Sequence, residues 1–184
     1  MIEGVIMKST GSWYQVLADD GRIFQSRIQG KLRLDDLKTT NPVSVGDRVR
    51  LQIENPTEGT IAEVLPRKNY VVRQSPRKKH NVHLIACNVD QALLITTIVE
   101  PKLKQGFIDR FLLMTEPYNI PVIIAFNKCD VYQEDDMAVF HHLKEVYENI
   151  GYTVVLCSSA NGTGLPKLKE LIEDKTTLVS GQSG

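Results

Sequence analysis

The sequence predicts two folded parts in series: a five-stranded β-barrel of the OB type, then a parallel, three-layer α/β domain. Three observations carry this. Residues 1–66 hold short strand-like runs divided by tight-turn residues. From Val82 onward, β-branched apolar runs alternate with helical periodicity. Between them, residues 67–81 turn abruptly basic. The expected domains are therefore a barrel over 1–66, a basic linker over 67–81 and an α/β domain over 82–184.

The barrel strands are expected over 2–8, 12–18, 22–28, 48–54 and 60–65. Asp19-Asp20-Gly21 supplies a hairpin turn, and Ser44-Val45-Gly46-Asp47 a second. Another five-stranded or SH3-like barrel fits the same pattern. Barrels of the OB type often hold RNA or single strands on one face. Trp13, Tyr14, Arg22, Phe24 and Arg27 are candidates for such a face, and Trp13 fits the core equally well. The linker carries Arg67, Lys68, Arg73, Arg77, Lys78, Lys79 and His80, with Tyr70 among them. It reads either as a solvated connector or as a phosphate-contacting arm.

In the second part, Val89 to Val99 reads as a buried strand and Phe107 to Pro117 as a helix. A strand from Pro121 follows, then an amphipathic helix over 134–150, acidic at its start and stopped by Gly151. Tyr152 to Cys157 is the third strand, Leu165 to Asp174 a short helix and Thr176 to Ser180 a fourth strand.

Composition narrows the function. The 22 Lys and Arg balance the 22 Asp and Glu, so no global field draws in nucleic acid and any basic surface is local. Cys87, Cys129 and Cys157 are widely spaced and lie in or beside apolar runs. They fit buried thiols of a reducing compartment better than a disulfide framework or a zinc site. His141 and His142 are adjacent on the long helix and point about 100° apart, which rules out an i, i+4 metal pair. With no signal-like N-terminus and no long apolar run, a soluble cytoplasmic protein is expected.

The chemistry concentrates where the strand from Pro121 stops, at Asn127-Lys128-Cys129-Asp130. The carboxyl ends of strands are where open α/β sheets bind ligands. A carboxylate accepts two N–H hydrogen bonds, and guanine presents an adjacent pair of donors, N1–H and N2–H2. Adenine presents its acceptor N1 there. Asp130 can therefore select guanine by leaving the wrong base without a partner, where the plainer reading is a strand followed by an ordinary polar loop. Asn127 can reach the base N7 or tie neighbouring loops together, and the stem of Lys128 can lie along the base with its ammonium in water.

Two further stretches support this. The third strand ends in Ser158-Ser159-Ala160, where a backbone N–H can reach the guanine O6, with Gly162 and Gly164 turning the chain onward. The sequence given closes with Ser180-Gly181-Gln182-Ser183-Gly184, which reads as the opening of a phosphate-binding loop or as a Gly/Ser tail.

In this order, with base-reading motifs ahead of the phosphate loop and a barrel ahead of both, the chain resembles the circularly permuted, small ribosomal subunit-dependent GTPases along its whole length. The resemblance implies a P-loop GTPase-like α/β domain, permuted and incomplete, with strands ordered 176–180, 89–99, 121–126, 152–157 and the first of these at an open edge. It implies a GTP hydrolase of late small-subunit maturation, with the small subunit and its rRNA as partners, contacted by barrel and linker. Asn127, Lys128, Asp130, Ser159, Ala160, Gly181, Gln182, Ser183 and Gly184 would hold GTP or GDP. No catalytic or metal-binding residue is assigned. Mg²⁺ and a structural Zn²⁺ are expected only in the full-length protein, since the phosphate-loop Lys and Ser/Thr, the switch segments and the zinc-binding domain are missing from these residues. The 184 residues alone are expected to bind nucleotide weakly and not to hydrolyse it, as a monomer away from membranes. The alternative is a non-catalytic RNA-binding adaptor whose α/β part is a docking module.

Overall fold

The computed structural model describes residues 1–28, 30, 42–74 and 82–181. The chain forms two compact units, Met1–Asn88 and Val89–Gly184.

The first unit is built on a closed barrel of β1 (Ile2–Thr10), β2 (Trp13–Ala18), β3 (Ile23–Ile28), β4 (Arg48–Ile53) and β5 (Glu58–Val64). The order around it is β1-β2-β3-β5-β4, and β4 returns to β1. All pairs are antiparallel except β3 with β5. The two-residue side-chain period decides what is inside. Tyr14, Val16 and Ala18 of β2 meet Phe24 of β3, Val49 and Leu51 of β4 and Ile61 of β5 in one core, closed by Ile6 and Val43. Tyr14 and Phe24 are thus core residues, which corrects their candidacy for an RNA-binding face. Trp13 lies outside at 38% exposure, with the Arg27 guanidinium 3.7 Å above its ring. Arg22 pairs with neighbouring Asp20.

Part of the expected linker is ordered against this barrel. Tyr70–Gln74 (β6) and Val82–Cys87 (β7) pair antiparallel. The Cys87 N–H donates to the Val45 carbonyl at 2.9 Å, and the Asn88 side-chain amide donates to Gly46 at 2.9 Å. Gly46 stands at φ +88°, where a Cβ would come 2.0 Å from the Cys87 carbonyl oxygen, so only glycine lets the two strands' ends meet. Arg67, expected in a solvated connector or a phosphate-contacting arm, is instead partly buried, at 12% side-chain exposure. Its guanidinium grips Asp47 through two hydrogen bonds of 2.7 and 2.8 Å and donates a third to Pro42, with the Asp47 side chain fully buried. Fork-to-fork pairing of this kind compensates the burial of both charges. Arg77, Lys78, Lys79 and His80 lie outside the described residues.

The second unit holds a parallel sheet of β8 (Gln91–Thr96), β9 (Val122–Phe126), β10 (Thr153–Leu156) and β11 (Thr177–Gly181). Its order is β11-β8-β9-β10, as the resemblance implied, with β11 at an edge among the described residues. β9 is buried at every position, because helices cover both faces. On one face Leu93, Ile123, Ala125 and Val155 pack with Leu168, Leu171 and Ile172 of α3 (Leu165–Ile172). On the other, Phe126 meets Phe140 of α2 (Glu134–Asn149) edge-on. Tyr147 of α2 donates to Asp109 of α1 (Gln105–Thr115) at 2.9 Å. α2 starts with a capping box between Gln133 and Asp136 and three acids in its first turn, complementing the positive end of the helix.

Cys87 and Cys157 are buried free thiols, as expected, whereas Cys129 is only half-buried. His141 and His142 are exposed. No helix among the described residues is long and apolar enough to cross a membrane.

Candidate functional site

The four parallel strands end on one side of the sheet, and that side carries the polar residues singled out from the sequence. Three loops meet there: residues 97–104 after β8, 127–133 after β9 and 157–164 after β10.

Asn127 ties its own loop to the end of β8 and to the loop after β10. Its N–H donates to the Thr96 carbonyl at 2.8 Å, continuing the β8–β9 pairing by one step. Its side-chain Oδ1 accepts the Ser159 N–H at 3.1 Å, with the Cys157 thiol at 3.9 Å. Of the two roles open to Asn127, the structure shows the tying of loops. A second link runs beside it, from the Cys129 N–H to the Cys157 carbonyl at 3.1 Å.

Lys128 then takes the left-handed conformation at φ 66°, which reverses the chain at the strand end. Its Nζ donates to the Glu100 carbonyl at 2.6 Å, a neighbour the sequence did not reveal. The turn continues through a short 3₁₀ segment, Cys129–Val131, which carries Asp130 to an exposed position.

The Asp130 carboxylate is held in place by Ser158. The Ser158 hydroxyl donates to Oδ1 and lies within reach of the Ala160 and Asn161 N–H groups at 3.2 and 3.3 Å. Ser158 is fully buried, so one hydroxyl both aims the carboxylate and folds the loop that follows. The loop closes with Ser158 N–H to Thr163 and Gly162 N–H to Ser158, at 2.9 and 3.0 Å. It ends on Gly164 at φ +71°, where a Cβ would lie 2.1 Å from the Leu156 carbonyl oxygen.

Asn127, Asp130, Ser159 and Ala160 therefore converge on one patch. Ser159 and Ala160 are exposed, and the Ala160 N–H is turned toward Ser158. Gly181 lies across β8, in register with Ile95. Gln182, Ser183 and Gly184 lie outside the described residues. Sequence reasoning missed Ser158 as the partner of Asp130, and it missed Tyr132, whose hydroxyl reaches the Asn127 carbonyl at 2.7 Å. The polar type of Ser158 at the end of an apolar strand was the available signal for the first.

The electrostatics favour neutral thiols beside the carboxylate. Burial, with the Asp130 charge next in importance, pushes the Cys129 thiol up, and burial does the same for Cys157. Among the described residues, no group of three or more His, Cys, Asp or Glu side chains is placed to hold a metal ion.

Comparison with known proteins places the whole chain among relatives. A family model described as RsgA GTPase matches residues 64–184, and one described as RsgA N-terminal domain matches residues 3–61. The chain is 48% identical to the small ribosomal subunit biogenesis GTPase RsgA of Cytophaga hutchinsonii, over all of this chain and 60% of that protein. It is 42% identical to the corresponding RsgA 2 of Bacteroides thetaiotaomicron, over all of this chain and 59% of that one. Among solved structures it is similar to YjeQ from Thermotoga maritima, with a TM-score of 0.79 and 30% identity, and to YloQ, described as a circularly permuted GTPase, with a TM-score of 0.72 and 34% identity. It covers 61% of each of those chains and all of itself is covered. The chain thus spans about 60% of the length of the curated relatives.

Proposed function

The chain belongs to the RsgA GTPase family, and from that premise we propose that it is the base-reading portion of a GTP-binding, GTP-hydrolysing factor in late maturation of the small ribosomal subunit. The observation that carries this is the exposed Asp130 carboxylate, aimed by buried Ser158 and set beside the Asn127-tied loop. A carboxylate held at one oxygen keeps acceptor capacity for the paired donors of guanine, and adenine offers it none. Ser159 and Ala160 close over the base from the neighbouring strand end. Gly181 to Gly184 open the phosphate cradle.

In the full-length protein, hydrolysis proceeds by attack of water on the γ-phosphate, with positioning and electrostatic stabilisation as the main sources of rate. Mg²⁺ and Zn²⁺ belong to that protein's remaining residues, and none of the described side chains is assigned to them.

RNA of the small subunit is contacted through the barrel, residues 1–66, and the basic stretch that follows. The exposed Trp13 with Arg27 stacked on it supports this, since aromatic and guanidinium planes both take unpaired bases. The protein acts as a cytoplasmic monomer. The same pair also supports the second reading, an RNA-binding adaptor with an inert α/β module. Calorimetric titration of the full-length protein separates the two: a GTPase prefers GDP over ADP by at least about a hundredfold. An adaptor binds small-subunit RNA with no dependence on either nucleotide.

A further inference from the structure

We propose that Tyr132 is a positioning residue for nucleotide binding, its hydroxyl clamping the base-reading loop to the end of β8. The proposal rests on the guanine reading above and adds a residue to it.

Tyr132 follows the 3₁₀ turn that carries Asp130, and its side chain is half-buried. The hydroxyl donates to the Asn127 carbonyl at 2.7 Å and accepts the Ile98 N–H at 2.9 Å. Thr97 Oγ1 stands at 3.3 Å, but its proton goes to the Val99 carbonyl at 2.7 Å. With the phenol proton on Asn127, the Thr97 contact is left without a proton, so the two strong bonds set the position of the hydroxyl. Burial raises the Tyr132 pKa, which keeps the phenol a donor.

Those bonds matter because of where they fall. The Asn127 carbonyl belongs to the peptide plane that enters Lys128, the residue held at φ 66°. Fixing that plane fixes the direction in which the turn leaves the strand, and so the place where Asp130 presents its carboxylate. The loop after β8 is bound a second time, by Lys128 Nζ on Glu100. Ser158 holds the carboxylate from the β10 side, and Tyr132 holds the turn from the β8 side. A phenylalanine in its place would leave the Ile98 N–H and the Asn127 carbonyl without their partner.

The test is a double-mutant cycle in the full-length protein, with GDP and ADP affinities measured for the parent, Tyr132→Phe, Asp130→Ala and the double variant. Tyr132→Phe is expected to weaken GDP about fivefold and leave ADP unchanged, and to cost less than about twofold once Asp130 is gone. GDP affinity within about twofold of the parent, or the same fivefold loss in the Asp130→Ala background, would overturn the role and make Tyr132 a general stabiliser. An Asp130→Ala variant that binds GDP like the parent would overturn the guanine reading itself, and this role with it. If Tyr132→Phe does not fold, amide exchange in the parent replaces it. The Ile98 N–H should then gain at least about tenfold protection with GDP, and exchange indifferent to GDP would contradict the clamp.

Discussion

The Ser158 hydroxyl donates to the Asp130 carboxylate across 28 residues of sequence, joining the ends of β9 and β10 at the group proposed to read the base. Ser158 is buried and Asp130 exposed, so the aim of the carboxylate is set from inside the protein. Ser158→Ala in the full-length protein should therefore weaken GDP about tenfold, the scale of a charge-assisted hydrogen bond, with ADP affinity unchanged. Calorimetry checks this, and circular dichroism confirms that the variant folds.

The Arg67–Asp47 pair has a different consequence. With side-chain exposures of 12% and 0%, breaking it leaves a buried charge. Arg67→Ala should destabilise the first unit by about 3–5 kcal/mol in urea unfolding. Arg22→Ala removes an exposed pair with Asp20 and should leave the transition unmoved.

Cys87 supplies a pH prediction. Burial, and then the Asp47 charge, push its thiol from 9.0 up to about 12. The folded state thus holds this proton more tightly than the unfolded one. The associated stability is complete below the unfolded value near 9 and is lost as pH rises toward about 12. Iodoacetamide at pH 8 should label half-buried Cys129 first and Cys87 only after denaturation, as read by peptide mass spectrometry.

Trp13 and Arg27 test the RNA-binding role without disturbing the barrel core, because both stand outside it. Trp13→Ala should weaken binding to small-subunit RNA by about 1–3 kcal/mol in filter-binding or anisotropy assays, with an unchanged melting transition.

Much of this was legible in the sequence, and the exceptions have physical reasons. β8 and β9 announced themselves as continuous apolar runs because helices bury both of their faces. The barrel strands were visible through their turns, and strict alternation places Trp13 on the face opposite Tyr14, a consequence of period two that residue type alone obscures. The β6–β7 hairpin was hidden because Tyr70–Gln74 sits within a basic stretch and its partner strand lies across residues 75–81. Arg67 looked like a solvent-facing charge because its partner Asp47 is 20 residues away. In the candidate site, the placing of Asn127 and Asp130 just after β9 could be read from the apolar run before them. Ser158 and Tyr132 act through contacts 28 and 34 residues long, which only the folded sheet brings together.

The most direct test of guanine reading by Asp130 is the Asp130→Asn exchange in the full-length protein, with GDP and XDP affinities measured side by side. The amide replaces one acceptor by a donor, matching the extra carbonyl of xanthine. The preference should reverse, with XDP favoured over GDP by at least about a hundredfold. GDP affinity unchanged by the exchange, with no gain for XDP, would contradict the assignment of this site to guanine.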